Sequence, residues 1–238
     1  PIDRTLPQID KVRELERLSA ENMPIVNSII AEIDQQLGTT SKASFKGAEN
    51  ILKKANRESI KRQAPDYDVE HVRDALRFKT ELNHLDEFKV MVDKVLSKGL
   101  EIIKLDTGKI AKPKEWGWRM AAMDIRMPNG QIVEYYASPK ELGGVVKDAA
   151  HAIFSKWRNA TEGYRNAHLA EYERDLQLSN QLYDQAWQAY LRKVGQDESA
   201  VLASWKNLEA SVGSVTRSKL SLRSSASNKA AKSSCFVP

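Results

Sequence analysis

The 238-residue sequence predicts an α+β protein, a mixed sheet of about four to five strands with helical flanks at both ends of the chain. Three observations lead there. Apolar residues recur at helical spacing over 8–37 and again after Pro139, alternating runs crowd between Val72 and Ala137, and an Asn-Gly pair separates two of those runs.

Taken in order, Ile9, Val12, Leu15, Leu18, Ile25, Ile29, Ile30, Ile33 and Leu37 mark a helix over 8–37. Pro24 inside it predicts a break or a new first turn. Gly38-Thr39-Thr40-Ser41 reads as a helix stop and loop, and a second helix is expected over about 44–62, ending before Pro65. From Val72 to Lys79 the pattern alternates like a half-buried strand that carries Asp74. Residues 85–100 read as a helix, 101–105 as a short strand and 109–117 as a loop. The runs 119–127 and 131–137 flank Pro128-Asn129-Gly130 and predict a hairpin closed by a type I′ turn, in which both central residues need positive φ. Helices follow from Pro139, with breaks near Gly163 and Gly195. Their aromatics (Trp157, Tyr164, Tyr172, Tyr183, Trp187, Tyr190 and Trp205) are expected in the core and in helix contacts. The organisation read from this is an N-terminal helical segment (1–40), a core (41–150), C-terminal helices (151–212) and a basic, Ser/Lys-rich mobile tail (213–238).

Composition narrows the function classes. Hydrophobic residues make up 41% and charged residues 29%, which supports a packed core and excludes a wholly disordered chain. No run approaches the roughly 18 apolar residues of a membrane-spanning helix, so no integral membrane contact is expected. The single cysteine, Cys235, cannot close an internal disulfide and fits a reducing, cytoplasmic site of action. The chain begins at Pro1 without a basic-then-apolar leader, so a processed chain or a piece of a longer protein is expected. The net charge of +5 resides in the tail: Arg217, Lys219, Arg223, Lys229 and Lys232 meet no acid there. Without them, 32 basic residues face 32 acidic ones. A neutral body gives no case for a sequence-independent grip on nucleic acid.

The four histidines (His71, His84, His151, His168) form no HExxH-type pair, and no GxGxxG, GxxxxGK[ST] or GxSxG occurs. Two acids on expected strands stand out, Asp74 and Glu134. Carboxylates are poor strand residues and costly to bury alone, and two on neighbouring strands suit a shared Mg²⁺. Solvent exposure, or pairing with Arg73, Arg77 or Arg119, is the other reading the pattern allows. Lys46, Asn50 and Lys54 are spaced by four, which puts two cations and an amide on one helix face. Such a face suits a polyphosphate, or is simply solvated. Lys112-Pro113-Lys114 leads into Trp116-Gly117-Trp118-Arg119, where an indole beside cations suits stacking on a nucleobase, a buried Trp being the more ordinary outcome.

In order and spacing, these pieces resemble the synthetase domain of RelA/SpoT-type alarmone synthetases over roughly residues 41–140. The carrying residues are Lys46-xxx-Asn50-Ile51-xx-Lys54, Asp74-Ala-Leu-Arg77-Phe-Lys79, Lys112-Pro113-Lys114-Glu-Trp-Gly117-Trp118-Arg119 and Asn129-Gly130-x-x-Val133-Glu134. The resemblance implies a nucleotidyltransferase-like fold and Mg²⁺-dependent transfer of the β,γ-pyrophosphate of ATP to the 3′-hydroxyl of an acceptor. By position, Asp74 would hold Mg²⁺, and Glu134 would complete the metal site or take the hydroxyl proton. Lys46, Asn50, Lys54 and Lys79 would bind ATP. Lys112, Lys114, Trp118 and Arg119 would bind the acceptor, Trp118 replacing the tyrosine that stacks on its base. Ser44, Asn50, Arg77, Lys79, Ala122 and Tyr136 depart from the family's Arg, Ser, Gly, Arg, His and Gln. The metal acids are thus kept while the acceptor side differs, which leaves guanosine nucleotides, adenosine nucleotides and the 3′ end of a tRNA open as acceptors. Toxin members of the family imply an immunity or antitoxin protein as a further partner. An inactive nucleotide- or protein-binding module, and a nucleotidyltransferase modifying protein or RNA, are the alternatives on the same fold.

Overall fold

The computed structural model describes residues 2–147 and 149–214. The expected mobile tail, with Cys235, lies almost wholly outside the described residues. Helix α1 (Gln8–Leu37) runs unbroken for 30 residues, contrary to the break expected at Pro24. Pro24 and Ala20, one turn earlier, both lie on the exposed side, so the carbonyl that Pro24 cannot serve is left toward water. Gly38, at φ +63°, ends the helix and donates its N–H to the Asp34 carbonyl.

The helix expected over 44–62 is replaced by strand β1 (Thr40–Phe45) and two short helices, α2 (Ala48–Ala55) and α3 (Glu58–Lys61). β1 pairs antiparallel with β2 (Leu76–Leu82), from Thr40 opposite Glu81 to Phe45 opposite Leu76. This pairing, with Ala43 packed on the core, overrides the helix-friendly composition. β2 in turn pairs parallel with β5 (Ile132–Pro139), which forms a hairpin with β4 (Ala121–Arg126). β3 (Glu101–Asp106) lies on the far edge, giving the order β1-β2-β5-β4-β3.

The hairpin is present but its turn is different. Among the turn residues only Gly130 has positive φ (+85°), its N–H reaches the Met127 carbonyl at 2.9 Å, and Met127 donates to the Gln131 carbonyl at 2.8 Å. Pro128 holds φ negative at the first turn position, which favours a type I turn followed by a left-handed glycine over type I′.

One face of the sheet carries Leu76, Phe78, Met123, Ile125, Val133 and Tyr135 into the main core beneath α1 and α4 (Glu87–Ser97). Phe78 and Tyr135 stack there with centroids 4.0 Å apart. The C-terminal helices are α5 (Lys140–Lys147), α6 (Ala149–Arg158), α7 (Glu162–Ala167) and α8 (Leu169–Val194), followed by helical residues 198–214. Trp157, Tyr183, Trp187, Tyr190 and Trp205 are buried among them as expected, whereas Tyr164 is 45% exposed. Gly195 ends α8, and the earlier break falls before Gly163, where Thr161 caps α7. Among the described residues no helix is long and apolar enough to cross a membrane.

Candidate active site

The other face of the sheet is polar. Strand register sets Ser44 opposite Arg77, Arg77 opposite Glu134, Glu134 opposite Asp124 and Asp124 opposite Lys104. Paired residues share a face, so these five positions form one row across all five strands.

Asp74 reaches this row from a turn, and not from within a strand as expected: β2 begins only at Leu76. Val72 and Ala75 on either side of it are buried in a small second core with Val12, Leu15, Ile51 and Ala55, which removes the alternation from its role as a strand signal. The same core orients α2, whose Ile51 and Ala55 point inward and leave Lys54 beside Asp74. Lys54 donates to Asp74 Oδ1 at 2.7 Å, and Lys46, one residue before the Gly47 cap of α2, donates to Oδ2 at 2.5 Å. Burial alone would raise the Asp74 pKa. The two ammonium groups, Lys54 first, outweigh it and hold the carboxyl below the ordinary aspartate value. Glu134 behaves in the opposite way: burial and the neighbouring Asp74 charge push its pKa up.

Both acids line a cavity of about 560 Å³. Its cations are Lys54, Arg57, Arg77, Lys109, Lys114 and Arg158, and its aromatic walls are Trp116, Trp118, Tyr136 and Phe154. Arg77 Nε donates to Ser44 Oγ at 3.3 Å, and Arg158 lies over the Phe154 ring at 5.3 Å. No carboxylate of the described residues lies within 4 Å of Arg57, Arg77 or Arg158. Burial and the charges of Arg57 and Arg77 lower the Arg158 pKa, with Asp74 opposing them. Arg158 is therefore repelled by both other guanidinium groups that line this space.

The sequence-predicted residues divide accordingly. Asp74, Glu134, Lys54, Lys114 and Trp118 line the cavity, and Lys46 joins through Asp74. Asn50 is exposed on α2, and Lys46 precedes that helix, so Lys46, Asn50 and Lys54 do not share one helical face. Lys79 pairs with Glu81 at 2.9 Å beneath Gly143, where an added Cβ would lie 2.5 Å from Glu81 Oε1. Lys112 is exposed and is not among the lining residues. Arg119 points away, into the helical flank: it donates to the Ile110 carbonyl at 2.7 Å and to Glu198 at 3.1 Å, and lies 4.5 Å over Trp187. Arg57, Arg158 and Phe154 were not singled out by sequence as ligand groups, and Trp116 only as part of the indole stretch after Lys112 and Lys114. Arg77 had a signal, since it shares strand parity with Lys79 on the polar face.

Helix α8 fixes the aromatic loop. Ser179 donates to the Trp116 carbonyl, Asn180 to the Glu115 carbonyl and Tyr172 to the Glu115 carboxylate. Between them Gly117 adopts φ +85°, where a Cβ would meet Tyr183 Cβ at 2.9 Å and Asn180 Cα at 3.2 Å. Gly117→Ala is expected to cost about 2–3 kcal/mol through strain and overpacking. Thermal melting should then fall by roughly 4–12 °C, and an unshifted melt would contradict this clamping of the loop.

The Asp74–Glu134 pair also fits a divalent cation. Both carboxylates line one cavity and offer the hard oxygen donors that Mg²⁺ takes, where the cation would stand in for the two ammonium groups now on Asp74. Mg²⁺ commonly takes one or two carboxylates and completes its shell with phosphate and water. Among the described residues no group of three or more His, Cys, Asp or Glu is arranged to hold a metal without such help.

No family model matches the chain, and no curated protein matches it. Among solved structures it is similar to small alarmone synthetase 2 from Bacillus subtilis, with a TM-score of 0.57 and 17% identity over 77% of this chain and 95% of that one. The fold is that of the small alarmone synthetases. Small alarmone synthetase 1 from Bacillus subtilis, solved bound to its product pppGpp, aligns with a TM-score of 0.51 at 13% identity, covering 76% and 95% of the two chains. The same synthetase fold occurs in the Type VI effector Tas1, solved with its immunity protein, at a TM-score of 0.52, 13% identity, and 75% and 97% coverage. The α+β expectation and the resemblance read from the four motifs both hold at the level of fold.

Proposed function

We propose that the protein is an ATP-dependent pyrophosphokinase that transfers the β,γ-pyrophosphate of ATP to the 3′-hydroxyl of a nucleotide acceptor. The observation that carries this reading is the cavity in which Asp74 and Glu134 lie with three arginines that have no acid partner among the described residues and a tryptophan-lined wall, its third carboxylate, Glu115, being held by Tyr172. Arg57, Arg77 and Arg158 would hold the triphosphate, and Trp116 and Trp118 offer indole faces to a base. Asp74 with Glu134 would hold Mg²⁺, which offsets phosphate charge as the transferred group moves. Lys46 and Lys54 would then exchange Asp74 for phosphate oxygens. The acceptor's 3′-oxygen attacks the β-phosphorus, its bond to the α,β-bridging oxygen breaks, and AMP leaves with the electron pair. Glu134, which lines the cavity beside Asp74, would also be placed to receive the hydroxyl proton. Little covalent chemistry is asked of the protein, and positioning with charge stabilisation supplies the rate.

Incubation with Mg²⁺ and γ-labelled ATP, together with adenosine and guanosine nucleotides and tRNA, should move label to one acceptor with release of AMP. Transfer of an adenylyl group, or no transfer to any of them, would overturn the proposal, and product mass separates a pyrophosphoryl from an adenylyl adduct.

A further inference from the structure

A second cavity, of about 320 Å³, borders the same acid pair. It shares Lys54, Asp74 and Glu134 with the larger one and adds Tyr67, His71, Arg73, Lys104 and Asp124. Aliphatic walls are missing from this lining, so it suits a polar ligand rather than a base. His71 Nδ1 accepts the Asp68 N–H at 3.1 Å, which leaves the hydrogen of the neutral ring on Nε2 as a donor. Arg73 spends Nη1 on Asp124 at 2.6 Å, while its side chain stays 53% exposed. Lys104 lies opposite Asp124 in the sheet, is exposed, and has no carboxylate of the described residues within 4 Å. Asp124 is thus already matched by Arg73, and the ammonium, the guanidinium and the imidazole N–H form a donor set for an anion.

We propose that this smaller cavity takes the 5′-phosphate group of the acceptor nucleotide. The inference rests on the reading that the acceptor's 3′-hydroxyl meets Glu134. An acceptor placed there has its base toward Trp118 and its 5′ end toward Arg73 and Lys104. The two substrates then keep their phosphates in separate cavities that meet only at the acid pair, which limits repulsion between them.

Calorimetric titration with magnesium pyrophosphate tests this without turnover. The wild-type protein should bind two equivalents. Arg73→Ala/Lys104→Ala should lose one, and Arg57→Ala/Arg158→Ala should lose the other. Lys104→Glu alone, on an exposed edge strand, should weaken the smaller site roughly tenfold or more while leaving the fold intact. A single equivalent in the wild type, or two retained in Arg73→Ala/Lys104→Ala, would overturn the inference even if label transfer succeeds. Two sites that respond as described, with no label transfer, would overturn the pyrophosphokinase reading and with it the assignment to an acceptor, leaving only a second phosphate site. Where transfer occurs, the Lys104 variant should raise the acceptor KM with little change in the ATP KM.

Discussion

Asp74→Asn and Glu134→Gln are expected to abolish transfer alike while moving stability in opposite directions. On the proposed mechanism each change removes a group from the centre of charge development, so either should lower the rate by roughly 10³-fold or more. Their effects on the nucleotide-free protein follow from the pKa directions. Asp74 is held down by Lys54 and Lys46 against its burial, so its charge stabilises the fold. Replacing it leaves two part-buried ammonium groups unmatched and should cost about 2 kcal/mol, less than the 3–5 kcal/mol of a fully buried pair because the lysines retain some solvent. That contribution is fully present above the ordinary aspartate value of 3.8 and is lost as pH falls through the depressed native value, so the deficit of Asp74→Asn should shrink in acid. Glu134 is pushed up, first by burial and then by Asp74, so its ionisation opposes folding. Glu134→Gln should therefore melt higher than the wild type at neutral pH. The gain should fade as pH drops toward the ordinary glutamate value of 4.5, below which both states are protonated. Paired melting curves at neutral and acid pH read both signs. Two variants that destabilise equally at neutral pH would show that Glu134 is a structural carboxylate.

How far the sequence reveals this site depends on how local each signal is. Asp74, Glu134, Lys54 and Trp118 stand inside short motifs whose order along the chain already resembles a family, and the fold brings them to one cavity. The Pro-Asn-Gly turn is equally local, and only its type was misread: the turn closes from Met127 to Gly130, so Pro128 and Asn129 are its central residues, both with negative φ, and Gly130 alone is left-handed. β1 was hidden because Thr-Ser-Lys-Ala-Ser-Phe has weak strand character, and what makes it a strand is pairing with β2, a contact across about 35 residues. Arg119 was misassigned for a related reason. It lies next to Trp118 in a motif that resembles an acceptor loop, yet Glu198 and Trp187, far along the chain, capture its guanidinium. Arg57 and Arg158 carry no local mark at all. One follows α2 and the other ends α6, and only the packing of the C-terminal helices around the sheet sets them across one space.

The arginine cluster separates function from fold, because without acid partners Arg77 and Arg158 give the empty protein only a long hydrogen bond to Ser44 and a ring contact with Phe154. Arg77→Ala/Arg158→Ala should weaken ATP binding by roughly 100-fold, two charge-assisted contacts at about 1.5 kcal/mol each. The same double variant should melt no lower than the wild type without nucleotide, since burial and the neighbouring arginines already disfavour the Arg158 charge. Lys79→Ala should give the reverse pattern. Its ammonium offsets Glu81 beneath Gly143, so removing it should lower melting while leaving the ATP KM within about threefold, as for a group outside the cavity. ATP affinity and melting temperature measured on the two variants decide between an arginine-built and a lysine-built triphosphate site. A large loss of ATP affinity in Lys79→Ala with none in the arginine double variant would move the triphosphate off the arginine cluster and onto the β2 lysine.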